Sequence, residues 1–81
     1  MRVRVVAFAR LAELLGWTRL DVTLENGAST ADAWSYLETQ SPALRVLAES
    51  SRMARNGRLI VAPETLQEDD ELALLPPVGG G

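Results

Sequence analysis

Leu74-Leu75-Pro76-Pro77-Val78-Gly79-Gly80-Gly81 is the stretch from which the rest of the chain is best understood. A strand-like apolar run passes into two prolines and then three glycines. The prolines hold φ near about −65° and cannot continue a ladder inside a sheet. The glycines carry no side chain and leave the backbone free. Fully extended, Pro76 to Gly81 reaches roughly 20 Å. Such a tail suits entry into a narrow cleft of another protein, with the Gly81 carboxylate carried inside. The alternative is an ordinary frayed end, and the sequence upstream bears on the choice.

Upstream there is room for one small domain. A chain of 81 residues buries only about 60–65% of its unfolded surface. With no cysteine to staple it, the core must come from aliphatic residues, and an apolar fraction of 47% supplies them. No apolar run approaches the ~18 residues of a membrane span. Met1-Arg2-Val3-Arg4 is too short and too charged to open a signal peptide. The expected location is the cytoplasm.

The missing residue types restrict the chemistry. Without Cys or His, the chain cannot build a Cys/His or Ser/His nucleophile pair or a His/Cys zinc site. All 8 basic residues are arginine, which removes a Schiff-base or phosphate-loop lysine. A net charge of −3 argues against nucleic-acid binding, which runs on basic patches. No catalytic side chain is expected here. The unusual group that remains is the C-terminal carboxylate itself.

Hydropathy period lays out the elements. Residues 2–8 alternate and are rich in β-branched side chains, which predicts a strand. Val3, Val5 and Ala7 share one face; Arg2, Arg4, Val6 and Phe8 share the other. Phe8 is then either partly exposed or closes the core at the strand end. Leu11, Leu14 and Leu15 give a brief helix over 9–15, with Gly16 placed for a left-handed C-terminus. Residues 17–24 alternate again, with Leu20, Val22 and Leu24 on the buried side. The connection is short, so strands one and two can pair antiparallel.

Ser29 or Thr30 caps a second helix, in which Ala33, Trp34 and Leu37 form the apolar stripe and Trp34 is a core anchor. Ser41-Pro42 ends it, and Leu44, Leu47 and Ala48 mark a further short helical turn. Asn56-Gly57, between Met53–Arg55 and Arg58–Ala62, is a hairpin signal. Glu68-Asp69-Asp70-Glu71 reads as a solvated acidic turn, and Leu72–Leu75 is the last strand. A sheet covered on one side by helices buries both apolar faces in two layers. The first and last strands are the most apolar and are expected in the middle; the sequence does not fix the strand order.

A sheet gripping one helix and ending in an exposed double glycine resembles the ubiquitin-like β-grasp fold, an α+β class with a mixed sheet packed on one face by helices. The chain is more particularly similar to the MoaD/ThiS sulfur carriers, in the branch of molybdopterin synthase small subunits. Phe8-Ala9-Arg10-Leu11 with Glu13 and Gly16, the Asn56 hairpin turn, and Asp70-Glu71-Leu72-Ala73 followed by Pro76-Pro77-Val78 and Gly80-Gly81 carry the likeness. Three positions depart from it. Ala12 stands where many relatives carry arginine, Arg55 where an apolar residue is usual, and Asp69 where glycine is usual.

The resemblance implies a β-grasp domain over 1–75 and an extended tail over 76–81. It implies that an adenylating, activating enzyme uses ATP on the Gly81 carboxylate, that sulfur transfer leaves a thiocarboxylate, and that the chain itself binds no cofactor. The tail would enter the large catalytic subunit of molybdopterin synthase, in a heterotetramer of two small and two large subunits. There it would deliver sulfur to precursor Z (cyclic pyranopterin monophosphate), giving molybdopterin for molybdenum cofactor biosynthesis. Under this reading Gly81 is the chemical centre and Pro76, Pro77, Val78, Gly79 and Gly80 are tail contacts. Phe8, Leu59 and Leu75 are candidates for an apolar docking surface, unless all three belong to the core. The alternatives are a sulfur carrier for thiamine thiazole synthesis or tRNA thiolation, and a ubiquitin-like protein modifier.

Overall fold

The structure, a computed structural model, describes residues 1–77. Its strands are β1 (Arg2–Ala7), β2 (Arg19–Thr23), β3 (Arg52–Arg55), β4 (Arg58–Leu59) and β5 (Glu71–Leu75). Two α-helices, α1 (Ala9–Leu15) and α2 (Thr30–Gln40), are followed by a 3-10 helix at Pro42–Leu47. The sheet order is β2-β1-β5-β3-β4. Strand β1 pairs in parallel with β5 and antiparallel with β2, while β3 pairs antiparallel with β4 and with β5. The result is a mixed sheet with β5 in the middle, and β1 beside it, as their apolar content leads one to expect.

Strand parity builds the core. Val3, Val5 and Ala7 of β1, Val22 of β2, and Leu72 and Leu74 of β5 all turn to the helix side and are buried. Leu11 of α1, Ala33, Trp34 and Leu37 of α2, and Leu44 of the 3-10 helix close over them. Helix α2 starts on a capping box: Asp32 N donates to Ser29 Oγ at 3.1 Å and Ser29 N donates to Asp32 Oδ2 at 2.9 Å. These two bonds satisfy donors that the first turn leaves without helical partners. Trp34 packs into the core and places its Nε1–H on Glu38 Oε2 at 2.7 Å. Gly16 ends α1 with φ 86°, a left-handed conformation, and its N–H donates to Ala12 O.

Two expectations are corrected. The second hairpin arm stops at Leu59 instead of running to Ala62. Ile60 turns into the protein, and the chain then leaves the sheet edge to meet the start of α2, where Thr30 N donates to Glu64 O and Leu66 N to Ala28 O. Strand β2 is shorter than 17–24, and Leu20 is exposed although its partner Val5 is buried. As an edge strand at the sheet margin, β2 has one neighbour, and only Val22 of its residues is covered. The short helical turn expected at Leu44 and Leu47 is present, as a 3-10 helix with Pro42 at its start.

Candidate docking face and tail root

Among the described residues, nothing covers the face of the sheet opposite the helices. The ladder registers place two cross-strand rows on it. One row runs Arg19, Val6, Ala73, Ala54, Leu59 across all five strands. The next begins at Phe8, one step beyond the Ala7–Leu74 pair, and continues through Leu75 to Arg52. Phe8 is 47% exposed and Leu59 51% exposed, while Leu75, Val6, Ala73 and Ala54 are half-buried. The structure thus brings Phe8, Leu59 and Leu75 onto one surface. It adds Val6, Ala54 and Ala73, which sequence reading did not single out. Val6 shares parity with Phe8 and was within reach of that reading. The two alanines become neighbours only once β3 is known to lie beside β5.

Strand β5 ends on this face. Leu75 leads directly to Pro76 and Pro77, which lie beyond the ladder. Because β5 is the middle strand, the tail root is flanked by Phe8 on one side and Arg52 on the other. Val78, Gly79, Gly80 and Gly81 lie outside the described residues.

The acidic turn is not simply solvated. Asp70 is only 6% exposed. Its carboxylate accepts from Arg55 Nε at 2.8 Å, Asn56 Nδ2 at 2.9 Å and Gln67 N at 2.8 Å. Burial by itself would raise the Asp70 pKa, but the bonds from Asn56, Gln67 and Arg55 outweigh it and hold the group below its ordinary value. Asn56 also exchanges bonds with Glu71: Asn56 N donates to Glu71 O, and Glu71 N to Asn56 Oδ1, both at 2.8 Å. The hairpin turn, with φ 50° at Asn56 and 83° at Gly57, is therefore fastened to the start of the strand that carries the tail.

Arg55, which departs from the family's apolar preference, extends this network. It also reaches Glu64 at 3.2 Å, and Glu64 takes two further bonds from Arg58 at 2.7 and 2.8 Å. The Arg58 contact, helped by Arg55, pulls the Glu64 carboxyl down to about 2. Asp69 sits at φ 66°, the left-handed conformation that Asp tolerates better than most residues.

No group of three or more His, Cys, Asp and Glu is placed to hold a metal among the described residues. A cleft of about 380 Å³ lies off the sheet end between Thr30, Ser51, Met53, Ile60 and Pro63. Its lining combines small hydroxyls and apolar groups with one carboxylate, Glu49, and one guanidinium, Arg52. No helix is long and apolar enough to cross a membrane among the described residues.

A mixed five-stranded sheet in the order β2-β1-β5-β3-β4, cradling a helix and with its last strand in the middle, is a ubiquitin-like β-grasp domain. The solved structure of SAMP1 from Haloferax volcanii superposes on it with a TM-score of 0.85 at 34% identity, covering 100% of both chains. A chain of the protein-protein complex of subunits 1 and 2 of molybdopterin-converting factor from Helicobacter pylori shares the fold, with a TM-score of 0.71 at 23% identity over 100% of both chains. The molybdopterin synthase sulfur carrier subunit of Arabidopsis thaliana is 30% identical over 81 residues, 100% of this chain and 84% of that protein. The ThiS family model matches residues 5–81, and the chain belongs to that family.

Proposed function

We propose that this protein is the sulfur carrier of a molybdopterin synthase, working through a thiocarboxylate on Gly81. The observation that carries the reading is the placing of β5. The middle strand of the sheet ends beside an exposed apolar band and is followed in the sequence by Pro76-Pro77-Val78-Gly79-Gly80-Gly81. The relative from Arabidopsis thaliana, matched along this whole chain and named as such a subunit, supports it.

In this mechanism an activating enzyme adenylates the Gly81 carboxylate with ATP, releasing pyrophosphate. The oxygen of a carboxylate is a poor leaving group until AMP is attached to it. A sulfur donor then displaces AMP and leaves the thiocarboxylate. The band of Phe8, Val6, Ala73, Ala54, Leu59 and Leu75 docks on the large subunit while the tail enters its active site. Glycines at 79 and 80 let the backbone pass where a side chain would collide. Enclosure there keeps water from the activated group. Two successive deliveries of sulfur to precursor Z complete the dithiolene of molybdopterin. The acid, base and pterin-binding groups belong to the large subunit, and this chain holds no cofactor of its own.

A second reading is favoured by the likeness to SAMP1, named a small archaeal modifier protein: the same activated Gly81 would be joined to lysines of target proteins. Incubation with the activating enzyme, ATP and a sulfur source, followed by intact-mass analysis, tests the first reading. It expects one sulfur-for-oxygen exchange on the intact chain. Isopeptide conjugates with no thiocarboxylate species would replace it with the second.

A further inference from the structure

Six of the eight arginines have a carboxylate partner: Arg2 with Asp69, Arg4 with Asp21, Arg10 with Glu13, Arg45 with Glu38, Arg55 with Asp70 and Arg58 with Glu64. The remaining two, Arg19 and Arg52, have none among the described residues. Both are exposed, and both lie on the open face of the sheet. Arg19 begins the row that continues through Val6, and Arg52 ends the row that contains Phe8 and Leu75. They therefore stand at opposite ends of the apolar band, three strand spacings and one row apart, or about 15 Å between backbones.

The charge of this face is opposite to that of the chain. Its strand positions carry four arginines, at 2, 4, 19 and 52, against Asp21 and Glu71, and Asp69 beside Arg2 adds a third carboxylate, which leaves the face net positive in a protein whose net charge is −3. A surface kept acidic elsewhere and basic around an apolar patch favours one orientation of approach.

We propose that Arg19 and Arg52 are the charge-specificity pair of the docking face, and that the partner is a protein surface with an apolar centre flanked by two carboxylates about 15 Å apart. Arg52, beside the tail root, sets where the tail enters; Arg19 sets the rotation about that point. The pair acts on encounter and register more than on final affinity, because rim charges govern association rate and its salt dependence. This rests on the docking reading given above and adds to it which charges the partner must bear.

Binding of the large subunit from the same source to full-length carrier, followed by stopped flow from low to high salt, tests it. Arg19→Glu and Arg52→Glu should each slow association about three- to ten-fold at low salt, and the deficit should shrink as salt screens the rim. Arg45→Glu, the same charge change on the helix side, should leave the rate nearly unchanged. Equal slowing by all three variants, no slowing by either open-face variant, or faster association would overturn the proposal. Leu59→Glu separates the two levels. If it weakens binding while the open-face arginine variants do not, the docking reading stands and the charge pair falls. If Leu59→Glu and the arginine variants are all without effect, both fall.

Discussion

Asp70 shows what a single buried charge does here. Its carboxylate holds Arg55, Asn56 and the Gln67 N–H together. Asp70→Asn keeps the shape but replaces one acceptor oxygen with a donor and removes the charge. The expected cost is about 1–3 kcal/mol, with Tm falling about 4–8 °C for each kcal/mol lost; thermal melts check it. Acid should act through the same cluster. Glu64 and Asp70 both have folded-state pKa values below their ordinary ones. Their stabilisation is therefore present above the ordinary carboxylate range and is lost as pH falls through the folded values. For Glu64 that window runs from 4.5 down to about 2. Arg58→Gln removes the largest cause of the Glu64 shift and should move this acid limb to higher pH in a pH series of melts. An unmoved limb would contradict that role. None of this was legible in Glu68-Asp69-Asp70-Glu71 as a string, because the partner of Asp70 lies fifteen residues earlier on another strand.

Leu74 and Leu75 are adjacent and face opposite ways, so β5 separates the core from the open face of the sheet. Leu74 is fully buried, and Leu74→Ala should cost about 2–5 kcal/mol. Leu75 is on the open face, and Leu75→Glu should weaken binding to the large subunit with little change in Tm. Titration calorimetry beside thermal melts distinguishes the two. A collapse of Tm for Leu75→Glu with unchanged affinity per folded molecule would return Leu75 to the core. The sequence left the division of these neighbours open, because Leu72–Leu75 is apolar at every position; the Asn-Gly turn and the left-handed end of α1 at Gly16 were readable directly. The short β4 was not, since Arg58–Ala62 has the composition of a strand. What cut it short is the pairing of Glu64–Leu66 with the start of α2, a contact across more than thirty residues. Leu20 misled for a similar reason: alternation marks a face, but not whether a helix reaches the sheet margin to cover it.

On the scale of the whole molecule, the order of elements was recoverable because the hydropathy period switches between strand and helix spacing along the chain, while the missing cysteine, histidine and lysine restricted only the chemistry. The family likeness added the grasp topology; the register that assembles the apolar rows and leaves Arg19 and Arg52 at their ends came only with the structure. The central claim is that the domain exists to present the Gly81 acyl group to a partner. Deleting Gly81 moves the terminal carboxylate by roughly 3.5 Å, against a tolerance of about 0.5 Å for a productive site. Gly80→Val should fail as well, by adding a branched side chain to a narrow passage. Both variants should melt like the parent. The most direct test is single-turnover conversion of precursor Z by the large subunit, comparing the parent with the Gly81 deletion after the same exposure to activating enzyme, ATP and sulfur source. The account predicts dithiolene formation with the parent and none with the deletion, although both still bind the large subunit. Equal conversion by the two would contradict it.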